Sequence, residues 1–346
     1  MKDGFIRVAA ATPDIHVADP QYNSEQIIEL MEQGSTRGVK VMAFPELCLT
    51  AYTCSDLFLQ ESLLREAKKE LKRILQASKS KDMILFVGMP WMHKGKLYNV
   101  AAVLNRGRIL GIVPKKHLPN YSEFYELRHF NPGMEKVEMT DWEGVQVPMG
   151  MNLLFACRTM PELVLAAELC EDVWVPCPPS ISHALAGATV IANCSASDET
   201  TGKDQYRYNL ICGQSARLVC GYIYANAGEG ESSQDLVFGG QNIIAENGTC
   251  LVQSDRFKNA CICADMDLGR IISERRRMTT FRNEENRSAS YETVYFELNT
   301  EDSAKKDSKK AGQKRDELLR YIDPAPFVPH DAGQRERRCE EILSIQ

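Results

Sequence analysis

The chain has 346 residues, of which 44% are hydrophobic, and a formal net charge of −6 at pH 7. This composition supports a large buried core, while the net negative charge and the scattered basic residues argue against a nucleic-acid-binding surface. No apolar run approaches the roughly 18 residues of a membrane-spanning helix, and the N-terminus lacks the apolar segment of a signal peptide. The twelve cysteines include no Cys-x-x-Cys pair, which favours a reduced, cytoplasmic protein without disulfides or a metal site.

The first half of the chain predicts alternating strands and helices. Short apolar runs indicate buried strands, and apolar residues at helical spacing indicate helices. The expected elements are the strand Phe5–Ala10, the helix Asn23–Gly34, the strand Val39–Phe44, a helix within Asp56–Ser80, the strand Met83–Met89 and a hairpin of Tyr98–Leu104 with Arg108–Val113.

The second half repeats this order. The expected elements are the strand Leu163–Leu169, a short helix after Pro178-Pro179 through Ala184 to Gly187, the strand Ala188–Cys194, the helix Lys203–Val219, the strand Gly221–Asn226, a hairpin of Asn242–Ala245 with Thr249–Val252, and a strand Ala260–Asp265 that closes the second sheet. The repetition predicts two equivalent sheets packed face to face with helices outside. The expected fold class is therefore α/β, as a four-layer α-β-β-α sandwich.

The composition changes towards the C-terminus. Arg275–Arg287 is strongly charged, Asp302–Lys314 is predicted to be exposed, Asp323–Pro329 is a Pro-rich linker, and Ala332–Gln346 begins a helix. We therefore expect a catalytic domain over residues 1–285. Residues 286–346 would form a charged segment, a linker and the start of a helix that leads to a domain absent from this chain.

Three of the predicted strands end at residues that can do chemistry. Glu46 follows the strand at 39–44, Lys115 follows the strand at 108–113, and Cys170 follows the strand at 163–169. If these strands lie side by side with parallel exits, the three side chains converge, because ligands collect at the carboxyl ends of strands in open α/β sheets.

A Glu, a Lys and a Cys together suit acyl transfer through a thioester. A free thiol is only a few per cent thiolate at neutral pH, so a nearby carboxylate has to take its proton during attack. An ammonium lowers the pKa of the thiol and stabilises an oxyanion, for which the backbone N–H of Glu171 is a second donor.

Each of the three residues also has a simpler interpretation. Cys170 is compatible with inert packing, Glu46 with a helix cap or a surface ion pair, and Lys115, next to Lys116, with a solvated surface charge. Their joint occurrence at three strand ends favours the active-site interpretation.

Several motifs resemble those of the nitrilase (carbon–nitrogen hydrolase) family. They are Phe44-Pro45-Glu46-Leu47, Pro114 to Tyr121, Phe130-Asn131-Pro132-Gly133 and Glu168 to Asp172. Within that family, the chain resembles the glutaminase domains of bacterial glutamine-dependent NAD synthetases from about residue 4 to its end. The motifs that carry this narrower resemblance include Leu49 to Tyr52, Asn120 to Glu126, Trp174 to Pro176, Ala192 to Ser197 and Phe238-Gly239-Gly240.

The resemblance implies a role for each matching residue. Glu46 would be the proton acceptor, Lys115 the cation that stabilises the oxyanion, Cys170 the nucleophile, and Glu126 a second glutamate that supports the lysine. The substrate pocket would consist of Tyr52, Tyr121 and Phe124 as its lining, with Glu171, Ser197 and Lys203 as ligands of the α-amino and α-carboxylate groups of glutamine. Position 203 often carries Arg in relatives, and Lys matches the charge but not the bidentate geometry.

The resemblance also implies partners. The substrate would be glutamine, and the released ammonia would pass to a C-terminal synthetase domain within a homo-oligomer. ATP and Mg would be needed only by that domain, and this chain would need no cofactor, because it contains no Ser-Gly-Gly-x-Asp-Ser loop. Two alternatives remain: an amidase for another small amide, and a scaffold domain with a vestigial site.

Overall fold

Two β-sheets packed face to face form the centre of the molecule. The computed structural model describes residues 4–233, 235–281, 290–299, 318–325, 327–329 and 331–346. The strands are β1 (Phe5–Ala11), β2 (Val41–Ala43), β3 (Ile84–His93), β4 (Lys96–Asn105), β5 (Arg108–Pro114), β6 (Glu138–Trp142), β7 (Val145–Met149), β8 (Leu153–Cys157), β9 (Val164–Leu169), β10 (Val190–Ser195), β11 (Gly221–Asn226), β12 (Ile243–Glu246), β13 (Thr249–Gln253), β14 (Cys261–Asp267) and β15 (Glu292–Phe296).

The first sheet has the strand order β14-β1-β2-β3-β4-β5-β7-β6, and the second has the order β13-β12-β11-β10-β9-β8-β15. The α-helices are α1 (Pro20–Thr36), α2 (Glu61–Ser78), α3 (Pro179–Leu185), α4 (Lys203–Leu218), α5 (Leu268–Arg277) and α6 (Ala332–Ile345). In the described part of the chain, no helix combines the length and the hydrophobicity needed to cross a membrane.

Three apolar layers separate the sheets and helices. Residues such as Phe86 and Phe155 fill the space between the two sheets. Helices α1 and α2 cover the outer face of the first sheet through Ile27 and Leu71, and α3 and α4 cover the second through residues such as Ile211. Successive side chains of a strand point to opposite faces of its sheet. Each sheet packs against the other sheet on one face and against helices on the other, so both faces are buried. The predicted four-layer α-β-β-α sandwich is confirmed.

One predicted pairing is wrong. The strand expected to close the second sheet, β14, lies in the first sheet, where it runs antiparallel to β1 with Phe5 opposite Asp267. Local sequence shows that a segment is a strand, but not which sheet edge it joins, because pairing depends on contacts between distant residues.

Several elements differ in extent from the prediction or were not predicted. Helix α1 begins at Pro20, three residues early, because the side chain of Asp19 accepts a hydrogen bond from the backbone N–H of Tyr22 and proline fits the first helical turn. The β6–β7 hairpin, β8 and β15 were not predicted from the sequence. β15 lies in the segment 286–346, which was expected to be outside the catalytic domain, yet it pairs in parallel with β8.

The C-terminal segment is attached to the sandwich by an ion pair. The guanidinium of Arg320 donates to both oxygens of Glu246, at 2.7 and 2.8 Å, and the N–H of Leu319 donates to Asp265 at 2.6 Å. Helix α6 follows and confirms the predicted C-terminal helix. The expected domain boundary at 285/286 and the segment 302–314 lie outside the described residues.

A glycine allows the turn after β2 to approach β3. A Cβ atom at Gly88 would lie 2.2 Å from the carbonyl oxygen of Pro45 and 2.4 Å from the backbone nitrogen of Leu47. Only a residue without a side chain fits there, and the turn that it admits carries Glu46.

Gly88→Ala is therefore expected to lower the free energy of unfolding by about 1–3 kcal/mol, because the added methyl group overlaps backbone atoms that cannot move independently. Urea denaturation measures this change. Gly213→Ala in α4 is the matched control, since its Cβ would meet no atom within 4 Å. That variant should keep or slightly raise stability, and an equal loss in both variants would contradict the steric argument.

Candidate active site

The three predicted strand-end residues meet between the two sheets. Glu46 follows β2 and Lys115 follows β5 in the first sheet, whereas Cys170 follows β9 in the second. They therefore converge across the sandwich, and the expectation of three strands side by side is wrong in that respect. Two hydrogen bonds join the sheets at this point: the N–H of Glu46 donates to the carbonyl of Ser195 at 3.3 Å, and the N–H of Ala196 donates to Oε2 of Glu46 at 3.1 Å.

A buried ammonium lies between two carboxylates. Nζ of Lys115 donates to Oε1 of Glu46 and to Oε1 of Glu126, each at 2.6 Å. The side chains of Lys115, Glu46 and Glu126 are 0%, 0% and 5% exposed. Glu46 also accepts from the amide of Asn99 at 2.6 Å, and Glu126 accepts from the hydroxyl of Tyr52 at 2.8 Å.

Burial and the charges within this cluster together determine its protonation. Burial alone lowers the pKa of Lys115, but Glu126 and Glu46 raise it, and the net pKa lies well above its usual range. Burial, together with the negative charge of Glu46, raises the pKa of Glu126 against the opposing effect of Lys115. The lysine therefore stays charged, and it is available to stabilise a negative charge that forms beside it.

Cys170 lies at a strained turn where β9 ends. Its φ of 39° is in the left-handed region, which costs a residue with a side chain roughly 1–2 kcal/mol. Burial and the carboxylate of Glu46 raise the pKa of the thiol far above its usual range, although Lys115 opposes them. The raised pKa favours the protonated thiol at neutral pH, in the field of the carboxylate of Glu46 and the ammonium of Lys115.

Aromatic side chains form one wall beside this cluster. Tyr52 and Phe124, together with Glu126, line a cavity of ≈110 Å³. Tyr121 is half exposed, lies edge-on to Phe124 at 6.0 Å between ring centroids, and donates its hydroxyl to Glu171 at 2.9 Å. The predicted lining residues therefore lie next to the predicted catalytic residues.

Of the three residues predicted to bind the substrate's charged groups, Glu171 lies in the turn after β9, Ser197 on the loop after β10 and Lys203 at the start of α4. Ser197 is buried, and its N–H donates to Asn226 at 2.8 Å. Lys203 forms an ion pair with Asp198, and its ammonium lies 5.3 Å from the centre of the Trp174 ring. In this structure the positive charge of Lys203 is thus already paired.

Arg207 is a neighbour of these residues that the sequence reading missed. It is fully buried, donates to Glu199 and Gln241 at 2.6 Å, and reaches the hydroxyl of Ser197 at 3.4 Å. It lies one helical turn after Lys203 on the same face of α4. This spacing of four residues could have indicated from the sequence that Arg207 lies near Lys203. Arg207 holds the loop that carries Ser197.

Asp172 was also missed, although it belongs to the same motif as Cys170. It is buried and accepts hydrogen bonds from the backbone N–H of Leu169 at 3.1 Å and of His117 at 2.9 Å. It therefore ties the turn that carries Cys170 to the segment that follows Lys115. Within the described ranges, no group of three or more His, Cys, Asp or Glu side chains is arranged to hold a metal ion.

The raised pKa of Cys170 predicts that its thiolate is not present at rest. Thiolate absorbs near 240 nm, so the difference in absorbance between the parent protein and Cys170→Ala should stay flat from pH 6 to pH 9. Because the pKa is shifted upwards, ionisation would begin only above this range. Cys339→Ala, which removes an exposed thiol, serves as the control. A one-thiolate step near neutral pH that is missing in Cys170→Ala would show a stored thiolate and contradict the prediction.

Comparison with known proteins places this site in a family. The family model for carbon-nitrogen hydrolase matches residues 7–276. A glutamine-dependent NAD(+) synthetase from Mycobacterium tuberculosis is 39% identical over 99% of this chain and 50% of its own length. One from Aquifex aeolicus is 30% identical over 80% of this chain and 45% of its own length. The chain thus spans about half the length of the curated relatives it matches.

Solved structures share the fold. A glutamine-dependent NAD(+) synthetase from Cytophaga hutchinsonii matches with a TM-score of 0.69 and 29% sequence identity. The match covers 76% of this chain and 43% of the synthetase chain. An amidase of the nitrilase superfamily from Nesterenkonia has a TM-score of 0.61 at 19% identity, covers 80% of this chain and 96% of its own, and is compared for its fold alone. The resemblance predicted from the motifs is confirmed, and the chain belongs to the carbon–nitrogen hydrolase family.

Proposed function

We propose that this chain hydrolyses the side-chain amide of glutamine to glutamate and ammonia through a thioester on Cys170. The main support for this proposal is the buried Glu46–Lys115–Glu126 cluster beside the thiol. Buried charges cost free energy even when they are paired, and perturbed titratable groups gathered at one place are typical of an active site. The similarity to glutamine-dependent enzymes over 99% of the chain supports glutamine as the substrate.

The reaction follows from the positions of these groups. The sulfur of Cys170 attacks the amide carbon while its proton passes to the carboxylate of Glu46. The negative charge that forms on the amide oxygen is stabilised by the ammonium of Lys115 and by the backbone N–H of Glu171. The carbon–nitrogen bond then breaks, the nitrogen takes the proton from Glu46, and ammonia leaves a thioester on Cys170.

Water completes the cycle. Glu46 takes a proton from the water molecule that attacks the thioester carbon, and the same cation and N–H stabilise the second oxyanion. When this intermediate collapses, the carbon–sulfur bond breaks, the sulfur recovers a proton from Glu46, and glutamate leaves. Glu126 positions Lys115 and helps to keep it charged, with its own position held by Tyr52.

Recognition of glutamine requires partners for its α-ammonium and α-carboxylate. Glu171 lies directly after the nucleophile with Tyr121 bonded to it, and its negative charge suits the α-ammonium. Ser197 and Lys203 suit the α-carboxylate, for which Lys203 would exchange its pairing with Asp198 for the substrate. Tyr52 and Phe124 would enclose the side chain of the substrate.

The ammonia would be used by a synthetase activity that this chain does not contain. The relatives named as glutamine-dependent NAD(+) synthetases are about twice as long as the matched region. We infer that such a synthetase domain follows in the complete protein, that it uses ATP and Mg to amidate deamido-NAD, and that the protein is a homo-oligomer. The twelve free cysteines favour a reducing cytoplasmic compartment.

The purified chain should release glutamate from glutamine without ATP. Cys170→Ala should abolish this activity while keeping the thermal melting temperature, because it removes the nucleophile but only one sulfur atom from the packing.

Acetamide and propionamide, which lack the α-groups, should be poor substrates. Equal cleavage of these amides would favour a general amidase, and a folded protein with no glutamate release would favour a vestigial scaffold. No NAD should form when ATP, Mg and deamido-NAD are added.

The two adjacent lysines should differ in their effect. Lys115→Met should lower kcat by about 10²–10³-fold, which is typical for loss of one oxyanion donor. Lys116→Met should leave kcat almost unchanged, since Lys116 is partly exposed and pairs with Glu135 at the surface. Glutamate release and a thermal melt are measured for both variants. Similar losses in the two variants would mean that Lys115 does not act on the oxyanion.

A further inference from the structure

We propose that Glu168, Asn193 and Tyr222 form a positioning chain of hydrogen bonds that holds the backbone of Cys170 in its reactive conformation. The proposal rests on the function proposed above. None of the three residues belongs to the Glu46–Lys115–Glu126 cluster, and they act on the reaction only through Cys170.

The three residues occupy neighbouring strands of the second sheet. Glu168 lies on β9, Asn193 on β10 directly opposite it, and Tyr222 on β11. Their neighbours on the same face of the sheet, Ala166, Ile191 and Tyr224, pack in the apolar layer beneath α3 and α4. The positioning chain therefore lies in a layer that is otherwise built for packing, and its members are 1%, 0% and 0% exposed.

Starting from the backbone of Cys170, each group donates a hydrogen bond to the next. The backbone N–H of Cys170 donates to Oδ1 of Asn193 at 3.2 Å, and Nδ2 of Asn193 donates to the hydroxyl oxygen of Tyr222 at 3.1 Å. The hydroxyl of Tyr222 in turn donates to Oε1 of Glu168. The other oxygen of Glu168 accepts from the backbone N–H of Ser180 at 2.8 Å.

The direction of these bonds determines how the Asn193 side chain is oriented. A backbone N–H can only donate, so the amide oxygen of Asn193 has to face Cys170 and its NH₂ group has to face Tyr222. Tyr222 accepts that bond and uses its single hydrogen for Glu168. Each bond thus requires the next, and a buried network that is satisfied in this way is rigid.

The end of the positioning chain coincides with the strained residue. Cys170 has a φ of 39°, and a non-glycine residue stays in that region only when its surroundings hold it there. The bond from Asn193 engages the N–H of Cys170, which leaves the N–H of Glu171 as the neighbouring donor for the oxyanion. Loss of the positioning chain would therefore misplace both the sulfur and this donor.

Tyr222→Phe tests the proposal, because it removes only the hydroxyl that links Asn193 to Glu168. We expect kcat for glutamine hydrolysis to fall roughly tenfold, which is typical for a buried group left without its partner, while KM stays within about twofold because substrate contacts are intact. Tyr291→Phe is the matched control. It removes a tyrosine hydroxyl bonded to His183 at 2.8 Å in the same layer, and it should leave kcat unchanged. An unchanged kcat in Tyr222→Phe, or a loss confined to KM, would overturn the proposal.

A second readout does not depend on glutamine. The rate of alkylation of Cys170 by iodoacetamide, followed by peptide mass spectrometry, should fall in Tyr222→Phe and not in Tyr291→Phe. If the parent releases no glutamate but this difference is found, the proposed function fails and the positioning chain stands. An alkylation rate equal to or faster than that of the parent would overturn the positioning chain.

A double-mutant cycle tests whether the residues act together. Asn193→Ala should lower kcat at least as much as Tyr222→Phe, and the double variant should lose no more than Asn193→Ala alone, since both changes act through the one bond to Cys170. Fully additive losses would overturn the proposal. If Asn193→Ala does not fold, the comparison of Tyr222→Phe with Tyr291→Phe decides alone.

Discussion

The ammonium of Lys115 is the charge on which the rest of the candidate active site depends. It lies between the carboxylates of Glu46 and Glu126, 2.6 Å from each, with almost no contact with solvent. Removing one partner from a buried ion pair typically costs about 3–5 kcal/mol, because the remaining charge is left without compensation. The cluster therefore couples the proposed catalysis to folding, because the groups proposed to serve the reaction cannot be buried separately.

The charge balance of the cluster explains its chemistry. Burial of Cys170 opposes formation of a thiolate, and the two carboxylates that face one ammonium add an excess of negative charge that opposes it further. A protonated thiol next to a carboxylate then favours a mechanism in which proton transfer accompanies attack. The same excess keeps the lysine charged, so that its positive charge is present when an oxyanion forms.

The two sheets contribute different parts of the site. The first sheet supplies the proposed base and the proposed cation, and the second supplies the proposed nucleophile. Direct bonds cross between them, from Ala196 to Glu46 and from His117 to Asp172. The sandwich is therefore needed for the site as well as for stability, since a small sliding of one sheet over the other would separate Glu46 from Cys170.

Much of this arrangement is readable from local sequence. Short apolar runs and helical spacing identified most strands, α2 and α4, and the chemically capable residues at strand ends identified Glu46, Lys115 and Cys170. These features are local because a strand end is marked by where hydrophobicity stops. Two of the residues that were missed, Asn193 and Tyr222, are polar residues inside buried strands. Nothing in their immediate sequence distinguishes a polar residue that serves a network from one that faces solvent.

The amino-acid order alone thus established the fold class and the repeated order of its elements, and it predicted which groups would be reactive. It did not establish that β14 joins β1, that the proposed nucleophile lies on the opposite sheet from the proposed base, or that β15 completes the second sheet. Those features arise from contacts between residues far apart in the chain. Their free energy comes from burying surfaces and pairing polar groups that become neighbours only when the two sheets have packed together.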